Sequence, residues 1–497
     1  MKTKNIFYLI SVLLFTILFY RQEGGINVTL FTVFLLAFSA ILNKPVRSTK
    51  RYLFIAGGAL LSSFFVMVYA SGISIVMCIF SLLILIFVQR FKSTSYLVAL
   101  VGGISSVIGS VLLMVIGRFQ SNRLMSLRKV KQNQPVKKWF PILIVAIVAF
   151  LFLSLYRSIS PVFDSYFTDL IGNISWGWIF ITVFATILLY PFFYPPRFLR
   201  KVLALEQNFG NTISEASVKT GFLSNFGLFS GFETERFSAY LLFVILNLLL
   251  LLLNGTDIHY LFLKGELPAG ITYSDYVHSG VGAVILSILM AIALIVYYFR
   301  GQINFDSKSK TIRQLAYLWI AQNIFLVGMA GYKNQLYIDA YSLTYLRIGV
   351  YYFLTFSMIG LFLTIYKIWY KRETWFLFQS TGFAIYTVLI LSCMLNWNNL
   401  VTQYNLKNSK PIDYDYLYQL GYENYPLLWE EKYFDEKKKQ AFDLKLTGST
   451  RTYLLPNGIG RFLQVYEQTG IQSYNISCDK VYRYFAAQAN SNKLPIN

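Results

Sequence analysis

Only two histidines occur in the 497 residues, His259 and His278, and both fall in one connection between apolar runs, 255–278. Asp257 and Asp275 accompany them, so two imidazoles and two carboxylates share one loop. That set suits a divalent cation in principle. The ligands lack close metal-type spacing, however, and no metal site is assigned. Pro268 and Gly270 read instead as a turn, Thr272 as the cap of the next helix and Asp275 as part of its first turn. A second polar group follows at 332–347, where Lys333, Asp339 and Arg347 stand among four tyrosines. Asp339 and Arg347 are eight residues apart and share a helix face if one helix runs through both. Arg347 then offers a charge near a membrane edge, where buried charges face protein or water and can bind an anionic group. Asp164 and Asp169 are weaker acid candidates, and Glu23 is the one acid of its loop. No catalytic residue is assigned.

The absent motifs narrow the chemistry. There is no phosphate-binding GxxxxGK[ST] loop, no HExxH and no GxSxG. Two histidines exclude multi-histidine metal centres within a bilayer. No cofactor is expected. Cys78, Cys393 and Cys478 form no CxxC pair and no even framework, so disulfides are not part of the design.

These residues must be positioned by a chain that is 56% hydrophobic, 18% aromatic and only 13% charged. Apolar runs of spanning length cover 5–20, 26–43, 52–70, 73–89, 96–117, 140–157, 174–194, 237–254, 279–299, 314–331, 345–368 and 375–394. Residues 1–394 hold 32 of the 44 basic residues against 13 acids, and the basic residues sit on alternate connections. Short basic loops stay cytoplasmic. If 96–117 does not cross, 27 of the 32 basic residues fall inside and 5 outside. Gly102, Ser106 and Ser110 recur there at four-residue intervals, spacing that lets helix backbones approach closely. The first run follows Lys2 and Lys4, ends in Phe19-Tyr20-Arg21 without a small-residue cleavage site, and reads as a retained anchor.

The expected fold is therefore an all-α polytopic membrane protein of about eleven transmembrane helices (11–12), with a small external C-terminal region. Residues 1–394 make the multi-span domain, with 96–117 a re-entrant or interfacial candidate, and 195–236 a cytoplasmic interfacial loop. Residues 395–497 make an extracytoplasmic tail, rich in tyrosine, with a helix-permissive stretch at 432–445 and a short helix at 477–489 carrying Val481, Tyr484 and Phe485 on one side. Asn247, Gln322 and Asn323 are expected to hydrogen-bond between helices.

Several separated segments carry a resemblance: ERFSAYLLFVILN (235–247), DIHYLF (257–262), LPAGITYSDY (267–276), YIDAYSLTYLR (337–347), NLVTQYNL (399–406) and DYLYQLGYENYPLL (415–428). Together they resemble a bacterial family of polytopic inner-membrane proteins catalogued as a domain of unknown function. The likeness covers roughly 230–430, while 1–190 agrees in hydropathy alone. Where this chain has Ser342 the family more often has Gly. The resemblance implies an inner-membrane location, N-terminus inside and C-terminus outside by the charge pattern, and carries no activity. Expected partners are the bilayer, anionic headgroups at the cytoplasmic loops, and a protein of the envelope, with no nucleic acid. The function expected is a non-catalytic envelope or partner-binding role. The alternatives are a transporter or flippase-like permease, and a membrane-embedded glycosyl- or phosphotransferase using acids at the external membrane edge.

Overall fold

The computed structural model describes residues 3–42, 49–89, 94–115, 149, 152–153, 155–165, 176–194, 206, 231–260, 273–409, 411–436, 439–446, 450–491 and 493–494. Among them, every apolar run except 140–157, most of which lies outside the described residues, is a helix. In chain order these are α1 (Thr3–Phe19), α2 (Ile26–Leu42), α3 (Lys50–Tyr69), α4 (Gly72–Val88), α5 (Tyr96–Val115), α6 (Trp176–Phe193), α7 (Phe232–Ile258), α8 (Tyr273–Tyr298), α9 (Lys310–Tyr341), α10 (Tyr345–Trp369) and α11 (Thr374–Ser392). Five of the helices, α3, α7, α9, α10 and α11, are long and apolar enough to cross a membrane. The basic 118–138 loop, most of 195–236, Asp169, Pro268, Gly270 and Thr272 lie outside the described residues, as do the side chains of Asp275 and His278 on α8.

The chain forms two compact units, residues 1–21 with 104–196, and 22–103 with 197–497. In the first, α1 and α6 pair antiparallel. Tyr8 donates to the Thr186 carbonyl at 2.6 Å, Thr16 to Thr182 at 3.1 Å, and Gly177 lies against the Tyr20 ring.

In the second unit, α3 ends at Ala70, whose φ of 49° reverses the chain, and Ser71 then caps α4 through the Ser74 amide. The result is a tight helical hairpin. Residues 96–103 of α5 run antiparallel to α4, and a Cβ on Gly103 would meet the Leu83 carbonyl at 2.2 Å. The close backbone approach that the small residues imply is therefore present at that position.

Polar glue joins α7 to α9. Asn247 donates to the Leu315 carbonyl at 3.0 Å and accepts from Gln322 at 2.7 Å, while Asn254 reaches the Gln322 carbonyl at 3.3 Å. Residue numbers rise together along the contact, so the two helices are parallel. Asn323 differs from expectation, because its amide bonds back to the Trp319 carbonyl of its own helix at 2.8 Å. Such bonds between membrane helices average about 0.6 kcal/mol, enough to set register but not to hold a bundle alone.

The tail is folded. α12 (Trp397–Asn408), α13 (Tyr414–Gln419), α14 (Tyr425–Glu430), α15 (Asn457–Gln468) and α16 (Ile476–Asn490) surround an antiparallel hairpin of β1 (Lys439–Leu444) and β2 (Arg451–Pro456). The hairpin corrects the helix reading of 432–445. Leu444, Tyr453 and Leu455 alternate onto one buried face and close a core with Leu417, Leu428, Phe434, Leu463 and Phe485. The helix period in 432–445 yields to that pairing because only the strand register buries those side chains. α16 matches expectation, with Val481 and Phe485 buried.

Candidate functional site

The tail docks on one end of the helices of its unit. The Ile26 amide at the start of α2 donates to the Tyr474 carbonyl at 2.9 Å, and Asn475 donates to the Val66 carbonyl near the end of α3 at 3.0 Å. Contact is so close that a Cβ on Gly25 would meet the Tyr474 carbonyl at 2.5 Å. Trp397 donates to Ser392 at the end of α11 at 3.0 Å.

The firmest joint uses the segments that carry the family resemblance. The helix over 337–347 breaks at 342–344, so Asp339 and Arg347 lie on α9 and α10 and do not share a helix face. Ser342 sits at φ 75°, ψ 165°, a conformation that favours glycine. Asn405, only 2% exposed, clamps the turn from both sides, accepting from the Leu343 amide at 2.7 Å and donating to its carbonyl at 2.8 Å. Arg347 donates to the carbonyls of Tyr341 and Ser342 and lies over the Tyr337 ring at 4.2 Å, so its charge caps the C-terminus of α9. Asp339 accepts from Gln335 at 2.8 Å and from Tyr404 at 3.2 Å. The Tyr345 amide donates to Tyr416 at 3.0 Å.

Asp257 and Lys333 meet across α7 and α9. Lys333 Nζ lies 2.8 and 2.7 Å from the two carboxylate oxygens, and the pair is largely buried. Parallel packing brings these residues together although 76 positions separate them. His259 is exposed and packs edge-on to Tyr260 at 5.3 Å. Asp164 is engaged by Arg157 within the first unit.

Beside the joint lies a cleft of about 380 Å³, which no expectation from sequence included. Its aromatic lining comes from Tyr418, Tyr422, Tyr425, Phe462 and Tyr466, and its polar lining from Glu23, Asn457 and Arg461. Among the described residues the side chains of Glu23, Asn457, Arg461 and Tyr422 have no hydrogen-bond or ion-pair partner. Cys478 also faces the cleft, and its thiol is pushed up to about 12, first by burial and then by the carboxylates of Glu423 and Glu23. Burial raises Glu423 as well, opposed by hydrogen bonds from Asn398 and Asn396. Tyr466 is raised by burial and by Asp479, whose carboxylate accepts its hydroxyl proton at 3.0 Å. Aromatic faces with unengaged neutral and charged hydrogen-bonding groups can bind a polar, multi-hydroxyl ligand by stacking and hydrogen bonding. The signal in the sequence was the tyrosine density of the tail, which marks a contact surface without saying what it contacts.

At the opposite end of these helices basic residues predominate. Arg300 pairs with Glu235 at 2.6 Å and Arg236 with Asp306 at 3.2 Å, Arg313 holds the 303–306 turn through carbonyls, and Lys367 donates to the Phe299 carbonyl at 2.7 Å. Glu206, buried and raised by desolvation, accepts from the Ser95 amide at 2.6 Å.

Residues 30–431 match the family described as Domain of unknown function (DUF4153). The chain belongs to that family. The match begins at residue 30, so it extends well into the N-terminal half, where the sequence likeness was one of hydropathy alone. No curated protein and no solved structure matches the chain. It is a membrane protein whose family carries no assigned activity.

Proposed function

We propose that this DUF4153 protein is a multi-pass protein of the bacterial cytoplasmic membrane, with about eleven spans, its N-terminus inside and its tail outside. Its role is the non-catalytic binding of a saccharide-like group at the external membrane edge. The gathering of Arg236, Arg300, Arg313 and Lys367 at the end away from the tail supports the orientation, because short basic connections stay cytoplasmic. Accessibility of tags at residues 93 and 125 tests the span count, since opposite sides would make 96–117 a crossing.

The cleft carries the binding reading. It combines the rings of Tyr418, Tyr422 and Tyr466, backed by the buried Tyr425 and Phe462, with Glu23, Asn457 and Arg461, whose polar groups point to no protein partner among the described residues. A sugar offers apolar C–H faces to the rings and hydroxyls to the rim. A phosphate-bearing ligand suits it less, because the Glu23 carboxylate lines the same space and offsets the Arg461 charge.

Saturation-transfer NMR on the detergent-purified protein, with a panel of neutral hexoses and N-acetylhexosamines, tests this. At least one sugar should give signal, and Tyr422→Ala and Arg461→Gln should each weaken it about tenfold, the value of one lost stacking or charged hydrogen-bond contact of ~1.4 kcal/mol. Silence across the panel, or a signal indifferent to both substitutions, would remove the reading.

A further inference from the structure

The cleft has neighbours. At Ala70 it adjoins a chamber of about 560 Å³ lined by the α3–α4 turn, Tyr345, Gly349 and Asn398. Through Ile348, Tyr352 and Trp397 that chamber adjoins a groove of about 610 Å³ along α9, α10 and α11. The groove is mostly apolar, with Ile338, Val388, Leu391 and Met394 among its walls, and Gln335, Ser392 and Tyr404 bring polar groups to it beside the tail joint. Leu391, on the last turn of α11, and Met394, just past its end, are about half exposed, 55% and 45%, so the groove opens beside the end of a spanning helix, where acyl chains run. Polarity thus rises along a row of neighbouring cavities that share wall residues, from the half-exposed Leu391 and Met394 to the Glu23–Arg461 cleft.

We propose that one ligand occupies this whole line, a glycolipid with its hydrocarbon chain in the α9–α11 groove and its sugar in the cleft beneath α15. This rests on the saccharide reading of the cleft and names the ligand class. A free sugar leaves the groove unmatched. A phospholipid fills the groove but brings a phosphate to a cleft where the Glu23 carboxylate offsets Arg461. A neutral, hydroxyl-rich amphiphile matches both ends.

The full-length protein in phosphatidylglycerol nanodiscs doped with a monoglycosyl diacylglycerol tests the proposal, using a diazirine placed either in the acyl chain or in the sugar. The acyl probe should label residues 343–355 and 388–397, and the sugar probe residues 418–425 and 457–466. Thr355→Phe and Val388→Phe, made separately to plug the groove, should each lower both labels at least fivefold while free-sugar NMR signals persist. Unchanged Tm in either variant shows that it is folded. Acyl label spread evenly over the lipid-facing helices and indifferent to the plugs overturns the glycolipid and leaves the saccharide cleft standing. Absence of sugar label together with silent NMR overturns both.

Discussion

The Asp257–Lys333 pair and the Glu23–Arg461 cleft are both polar places in an apolar protein, and they differ in one respect. At the pair, each charge is consumed by the other, with both carboxylate oxygens within 2.8 Å of one ammonium. In the cleft, a carboxylate, a guanidinium and an amide line one space without pairing. Charge in a membrane protein is often a pointer to function. Here the pointer is satisfaction: the pair holds α7 against α9, and the unengaged groups are the ones left for a ligand.

The largest expected effect breaks the pair. Asp257→Ala removes the carboxylate that faces a largely buried ammonium and should destabilise by about 3–5 kcal/mol, whereas Asp257→Leu with Lys333→Met should recover most of that. Thermal unfolding in detergent reads both, and a mild single variant would show that the pair is solvated. Next, Asn405→Leu orphans the Leu343 amide and carbonyl, at about 1–3 kcal/mol for each group. Limited proteolysis should then cut near the α12 junction long before the helices unfold.

Ser342→Gly should act in the other direction. It relieves a positive-φ conformation worth of order 1 kcal/mol, and the Tm should rise. A fall would mean that the Arg347 contacts on the turn depend on the serine.

A pH experiment sharpens the view of the cleft wall. Glu423 has its folded pKa raised, so the folded state holds the proton more tightly than the unfolded chain does. Its stabilisation is full below the unfolded value of about 4.3 and is lost as pH rises through the folded value. Tail docking should therefore weaken from about pH 4 towards neutrality, and Glu423→Gln should flatten that slope. The smallest effects on stability belong to Glu23→Gln and Arg461→Gln, within about 0.5 kcal/mol, because neither group has a partner to lose. A larger loss would make the cleft a structural feature like the pair.

Much of the architecture is legible in order of residues. Apolar runs such as 52–70 and 375–394 become helices because a bilayer leaves the backbone no other local way to satisfy its own hydrogen bonds. The candidate site was legible only in fragments. Tyr404, Asn405 and Leu343 belong to segments already singled out by resemblance, but nothing local says that Asn405 grips Leu343. The break at Ser342 was missed because helix-compatible residues flank it, and the strands at 439–456 because their period is decided by the core they cover.

By itself, then, the order of residues determines the class of protein, the positions of its helices and the asymmetry of its charge, since length, hydropathy and loop charge act locally. Tertiary structure alone decides which polar groups are spent and which remain. Asp257 meets Lys333, and Glu23 meets a cleft whose aromatic walls come from residues more than 390 positions away. Hydrogen bonds and ion pairs are satisfied through space, and only the folded chain brings those partners within reach.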